Sequence, residues 1–97
     1  MAKGYWVVSY RKINDPQKLD AYAKLASPAV IAGGGRFVAR GVAVQAAEQG
    51  LVQRTTVVEF DSVEKAIACH DGAAYRQALQ ALGDSVERDF RIVQGVD

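Results

Sequence analysis

Tyr5-Trp6-Val7-Val8-Ser9-Tyr10, followed at once by the helix start Asn14-Asp15-Pro16, decides the fold. The first run is aromatic and β-branched, which suits a strand. At the second, an Asn or Asp side chain can cap free backbone N–H groups, and Pro at the first helical position sacrifices no hydrogen bond. Leu19, Tyr22, Ala26, Ala29, Val30 and Gly33 come next at steps of three or four and make one apolar helical face. Pro28 cannot donate to Lys24, so a kink or a second short helix starting at Ser27 is expected. Gly33-Gly34-Gly35 ends the element, because glycine readily adopts the left-handed helix-terminal conformation.

The same grammar returns in the second half. Arg36 to Ala46 reads as a strand, Glu48-Gln49-Gly50 as a turn, and Gln53 to Phe60 as a strong third strand. Asp61-Ser62 then opens a second helix whose inner face is marked by Val63, Ala66, Ile67 and His70. Asp71-Gly72 breaks it, Tyr75, Leu79 and Leu82 continue on another segment as far as Gly83, and Phe90-Arg91-Ile92-Val93 closes the chain as a strand. The order is βαββαβ. Two right-handed β-α-β crossovers joined by a hairpin predict a ferredoxin-like α+β plait, a four-stranded antiparallel sheet with both helices on one face. The two halves share this plan but do not align as a sequence repeat.

Composition narrows the function classes. The chain has 97 residues, read as one domain over 1–97, with 49% hydrophobic and 24% charged residues, a globular balance. A net charge of +1 argues against nucleic acid as a partner. One Cys (Cys69) and one His (His70) can form neither an internal disulfide nor a structural zinc site, and no metal is expected. No window approaches a membrane span or a secretory signal, so a soluble cytoplasmic protein is expected, with no membrane partner.

Helices on one face leave the other face to be explained. Period-two parity puts Trp6, Val8, Tyr10, Phe37, Ala39, Thr56, Val58 and Phe60 on the helix side. The opposite parity carries Tyr5, Val7, Val38, Thr55 and Val57, with Ser9, Arg11, Arg36, Arg40 and Glu59. That set is too apolar for a wholly solvated surface, and a chain this short buries only ~60–65% of its surface alone. A homodimer through the open face is expected, with Tyr5, Val7, Val38, Arg40, Val57 and Glu59 in the interface. The alternative is scattered exposed valines on an open sheet.

Lys3-Gly4-Tyr5-Trp6, Gly34-Gly35-Arg36-Phe37-Val38-Ala39-Arg40-Gly41, Val57-Val58-Glu59-Phe60, the Tyr75 segment and Ile92-Val93-Gln94-Gly95-Val96 together resemble a bacterial family known only as a domain of unknown function, number thirteen-thirty. The resemblance spans essentially the whole chain, and its Gly-Arg-Phe segment is the most specific part. It implies the dimeric α+β barrel superfamily, whose protomers pair through their sheets. Relatives there include cofactor-free antibiotic-biosynthesis monooxygenases, muconolactone isomerases, chlorite dismutases and stress-response proteins. Family members often carry Tyr-Asn-Ser-Pro-Glu-Tyr where this chain has His70-Asp71-Gly72-Ala73-Ala74-Tyr75, so a His replaces the first Tyr and the Ser-Pro-Glu cap is gone.

No motif names a reaction. The three glycines come after a helix and before a strand, the reverse of a phosphate cradle. Cys69 and His70 are helical neighbours whose side chains diverge by roughly 100°, so they do not form a dyad. His70 reads either as a general acid or base or as a half-buried histidine at a helix break. Trp6, Tyr10, Tyr22, Phe37, Phe60 and Tyr75 gather between helices and sheet, either as aromatic core or as the walls of a site for a small organic ligand, whose expected contacts are Trp6, Tyr10, Tyr22, Phe37, His70 and Tyr75. Arg40 and Glu59 are expected as a cross-strand pair buried by the partner protomer, with an arginine clamp beside a carboxylate base as the alternative. Catalytic candidates are therefore His70, Tyr75, Arg40 and Glu59. No haem or other cofactor is supported. Two readings remain: a cofactor-independent enzyme on a small organic substrate, monooxygenase- or isomerase-like, or a non-catalytic ligand-binding or stress-related dimer.

Overall fold

A computed structural model describes residues 2–96. The elements run β1 (Gly4–Ile13), α1 (Pro16–Ala32), β2 (Arg36–Val42), β3 (Arg54–Phe60), α2 (Val63–Asp71), α3 (Ala73–Leu82) and β4 (Val86–Gln94). The sheet order is β2-β3-β1-β4, antiparallel at every pairing, which is the ferredoxin-like α+β plait with its second helix split in two.

Local chemistry explains the junctions. The Asp15 carboxylate accepts from the backbone N–H groups of Gln17 and Lys18, and the Ser62 hydroxyl accepts from that of Lys65. α2 ends at Gly72, which also heads α3 and has no side chain to cap it. Of the two alternatives expected at Ser27-Pro28, a second short helix does not form: α1 runs on through Pro28, with Ala26, Ala29 and Val30 on either side of it buried. After α1, Gly34 takes φ +90°. Gly35 then passes so close to the core that a Cβ would lie 2.6 Å from Val30 Cγ1.

The core lies on the helix side only. Trp6, Val8, Tyr10, Val58 and Phe60 from the sheet meet Leu19, Tyr22, Ala26 and Val30 of α1 and Ala66, Tyr75, Ala78 and Leu82 of α2 and α3. Trp6 stands opposite Val58 and Ile92, Val8 opposite Thr56 and Phe90, and Tyr10 opposite Arg88. Ile67 departs from the expected inner face of α2 and is 44% exposed.

Two differences from the sequence reading matter for the site. First, a bulge shifts the β2–β3 register, so Phe37 faces Val58 but Ala39 faces Val57. Ala39 therefore joins the open face, and Arg40, opposite Thr56, turns to the helix side. Val38, the extra residue of the bulge, is 53% exposed. Second, β2 stops at Val42 and β4 begins at Val86, four residues before the expected Phe90. Residues 43–53 form a long connection that contains the expected Glu48-Gln49-Gly50 turn, closed by the Gly50 N–H donating to the Ala47 carbonyl at 2.9 Å.

Candidate functional site

Between α1 and the sheet lies a narrow cleft. Trp6, Val8, Val58 and Phe37 form its sheet wall, Tyr22, Ala23, Ala26 and Val30 its helix wall, and Arg40, Arg54 and Arg88 enter from β2, β3 and β4. Its open volume is about 30 Å³, room for little more than one water. Arg40 bridges the two walls, donating from Nη1 to Ser27 Oγ of α1 at 3.2 Å while its guanidinium stacks 4.1 Å from the Phe37 ring centre.

Arg88 organises the β1–β4 end. Its Nη1 donates to the hydroxyl oxygens of Tyr10 at 3.1 Å and Tyr22 at 3.2 Å, and its Nη2 to that of Tyr75 at 3.2 Å. The Tyr22 and Tyr75 hydroxyls are themselves 2.6 Å apart. Burial, reinforced by Tyr22, pushes the Tyr75 phenol far above its usual range. Tyr75 is therefore a neutral phenol at physiological pH, not a phenolate base. Burial alone would lower the Arg88 value, but the surrounding phenols outweigh it and the guanidinium stays charged.

Trp6 donates from its indole nitrogen to the Ala66 carbonyl at 2.9 Å, which fixes the ring. Its other side meets Phe60, Tyr75 and Phe90 at centroid distances of 5.1, 4.8 and 5.1 Å. His70 lies at the margin of this cluster, 5.1 Å from Phe90 and 5.6 Å from Tyr75, with Nδ1 3.0 Å from Asp71 Oδ1. Of the six residues expected around a ligand, Trp6, Tyr10, Tyr22 and Phe37 line the cleft. Tyr75 reaches it only through its hydroxyl contacts, and His70 lies outside its lining. Cys69 points instead toward the Ala29 carbonyl, 3.7 Å away, so thiol and imidazole diverge.

The expected Arg40–Glu59 pair does not form. The bulge turns Arg40 to the helix side, and the arginine opposite Glu59 is Arg36, whose Nη2 lies 2.9 Å from Glu59 Oε1. The Tyr5 hydroxyl donates to Glu59 Oε2 at 2.8 Å. Arg36 first, then Tyr5, holds the Glu59 carboxyl below the usual carboxylate range. On the same open face Tyr5, Val7 and Val57 are half-buried and Val93 is 42% exposed. The 43–53 connection stands over one end of this face, and the two enclose a trough of about 430 Å³ lined by Val7, Ser9, Leu51 and Thr55 among others.

Sequence reading missed Arg54 and Arg88. Parity held the signal: Arg54 is in step with Thr56 and Val58, and Arg88 with Phe90 and Ile92.

Comparison with solved structures supports the fold. The RPA0582 protein of Rhodopseudomonas palustris, of unknown function, superposes with a TM-score of 0.73 at 15% identity, covering 99% of this chain and 84% of that one. A dimeric ferredoxin-like protein of unknown function from Thermobifida fusca gives 0.64 at 22% identity, covering 96% and 89%. A Caulobacter crescentus protein provisionally assigned as an antibiotic biosynthesis monooxygenase gives 0.65 at 14% identity, covering 99% and 92%. No curated protein matches in sequence. The family model for Domain of unknown function (DUF1330) matches residues 3–96, and the chain belongs to that family.

Proposed function

We propose that the protein works as a homodimer joined through the open face of its sheet, each protomer holding a small organic molecule in its helix–sheet cleft. The observation that carries the ligand reading is the cleft itself: an aromatic and aliphatic slot with its polar groups gathered at one end. Arg40 closes it. That side chain is exposed and, among the described residues, is held by Ser27 and the Phe37 ring alone, so swinging it outward opens the slot. The dimer rests on the half-buried apolar residues of the open face and on Val42, Val44, Leu51 and Val52, exposed at or beside the 43–53 connection. The Thermobifida fusca neighbour, described as dimeric, has the same fold.

Binding is favoured over catalysis because, among the described residues, no carboxylate or imidazole lines the cleft and Tyr75 stays neutral. A cofactor-independent enzyme is the second reading, favoured by kinship in fold with the Caulobacter crescentus protein. Consumption of dioxygen, or isomerisation of a bound ligand, would move the balance to it.

Trp6 is the only tryptophan and lines the cleft, so its fluorescence reports occupancy. A screen of small hydrophobic organic compounds should yield saturable quenching that is lost in Ala23→Leu, which fills the slot without removing a polar group. No saturable response, or one unchanged in Ala23→Leu, would overturn the ligand reading.

A further inference from the structure

Arg40, Arg54 and Arg88 converge on the cleft from three different strands. Among the described residues none of them forms an ion pair with a carboxylate. That is a costly arrangement for the partly buried guanidiniums of Arg54 and Arg88, since such groups are ordinarily paired. Arg54 shows it most plainly: its Nε is buried and has no hydrogen-bond partner. The guanidiniums of Arg54 and Arg88 lie 5.7 and 5.6 Å from the Tyr10 ring centre, so two cations share one aromatic ring.

The phenols sharpen the point. Arg88 donates to the oxygens of Tyr10, Tyr22 and Tyr75, and the Tyr22–Tyr75 contact uses one hydroxyl hydrogen. The other two phenolic hydrogens have no acceptor among the described residues, since a phenol supplies one donor each. The polar end of the cleft thus holds more donors and positive charge than its hydroxyl oxygens satisfy, with no carboxylate lining it among the described residues. Its other walls are mostly apolar, formed by Trp6, Val8, Val30, Phe37 and Val58 with the hydroxyls of Ser27 and Thr56 among them.

We infer that the cleft is built for a small organic monocarboxylate, its apolar body between α1 and the sheet and its carboxylate at the Arg40–Arg54–Arg88 end. With the slot opened by outward movement of the exposed Arg40, a carboxylate there matches the guanidinium fork and accepts from the free phenol hydrogens. The inference rests on the proposed ligand-binding role of the cleft and adds the chemical class.

Calorimetric titration of the intact protein with phenylacetate and hexanoate, against phenylacetamide, hexanamide and phenyl phosphate, tests it. The two acids should bind saturably and each amide about tenfold or more weaker, as expected when a charged hydrogen-bond acceptor is replaced by a neutral one. Arg54→Gln should weaken the acids about tenfold, leave the amides unchanged and not lower the melting temperature, because it removes an unpaired buried cation. Arg40→Gln, at an exposed position, gives an independent arm if Arg88→Gln does not fold. Equal binding of acid and amide would overturn the carboxylate inference and leave the cleft as a neutral-ligand site. Preference for phenyl phosphate would overturn the carboxylate assignment. Binding of none of these probes would overturn it together with the ligand reading.

Discussion

Arg88, fixed to three phenols, and Glu59, fixed between Arg36 and Tyr5, are the two side-chain clusters that set the two faces of the sheet apart. Tyr75, 1% exposed, is the most deeply buried of the three phenols of the first. Tyr75→Phe removes its contacts to Tyr22 and Arg88 while keeping the ring, and should lower stability by about 1–3 kcal/mol in urea unfolding. A loss too small to measure would mean that the phenol network contributes nothing to the fold. For Glu59 the sign comes from its lowered pKa. A carboxyl held below its unfolded value stabilises above about pH 4.3, and that contribution disappears as pH falls through the lower folded value. The stability advantage of the native chain over Glu59→Gln should therefore be full at neutral pH and vanish only on strong acidification. A double-mutant cycle should show coupling between Arg36→Met and Glu59→Gln and none between Arg40→Met and Glu59→Gln. The reverse result would restore the pairing that parity alone suggested.

At the scale of elements, the plait was legible because strand and helix starts announce themselves. Tyr5–Tyr10 and Thr55–Phe60 alternate or run β-branched, and Asp15-Pro16 and Ser62 open α1 and α2 with caps. Two things were not legible. A bulge inserts one residue and inverts the parity of everything beyond it, so Ala39 and Arg40 changed faces with no mark in composition. The first half of β4, Val86-Glu87-Arg88-Asp89, is mostly charged and lacks a strand signature, and it becomes a strand by pairing with β1. Arg88 was hidden with it. The α1–β2 junction offers a test at this scale. A Cβ at Gly35 would lie 2.6 Å from Val30 Cγ1 and 2.9 Å from both Phe60 and Val58, all in the core. Gly35→Ala should therefore cost about 1–3 kcal/mol by overpacking, read as a lowered denaturation midpoint. An unchanged midpoint would show that α1 and the sheet can separate there without penalty.

For the whole molecule, all helices lie on one side of the sheet, with Cα extents of 37 × 33 × 16 Å. No helix of the described residues is long and apolar enough to cross a membrane. The proposed homodimer covers the remaining sheet face. Val57, opposite Val7 on one side and Ala39 on the other, lies at its centre. Val57→Lys should shift the protein toward monomer in sedimentation equilibrium while leaving the helix-side core intact. An unchanged oligomeric state would remove the open face from the interface. The most direct measurement of dimer and cleft together is native mass spectrometry of the protein purified from its own host. The expected mass is that of two 10.4 kDa chains carrying a small organic acid that is released on denaturation. Bare single chains at micromolar concentration under gentle ionisation would contradict both the dimer and the occupied cleft.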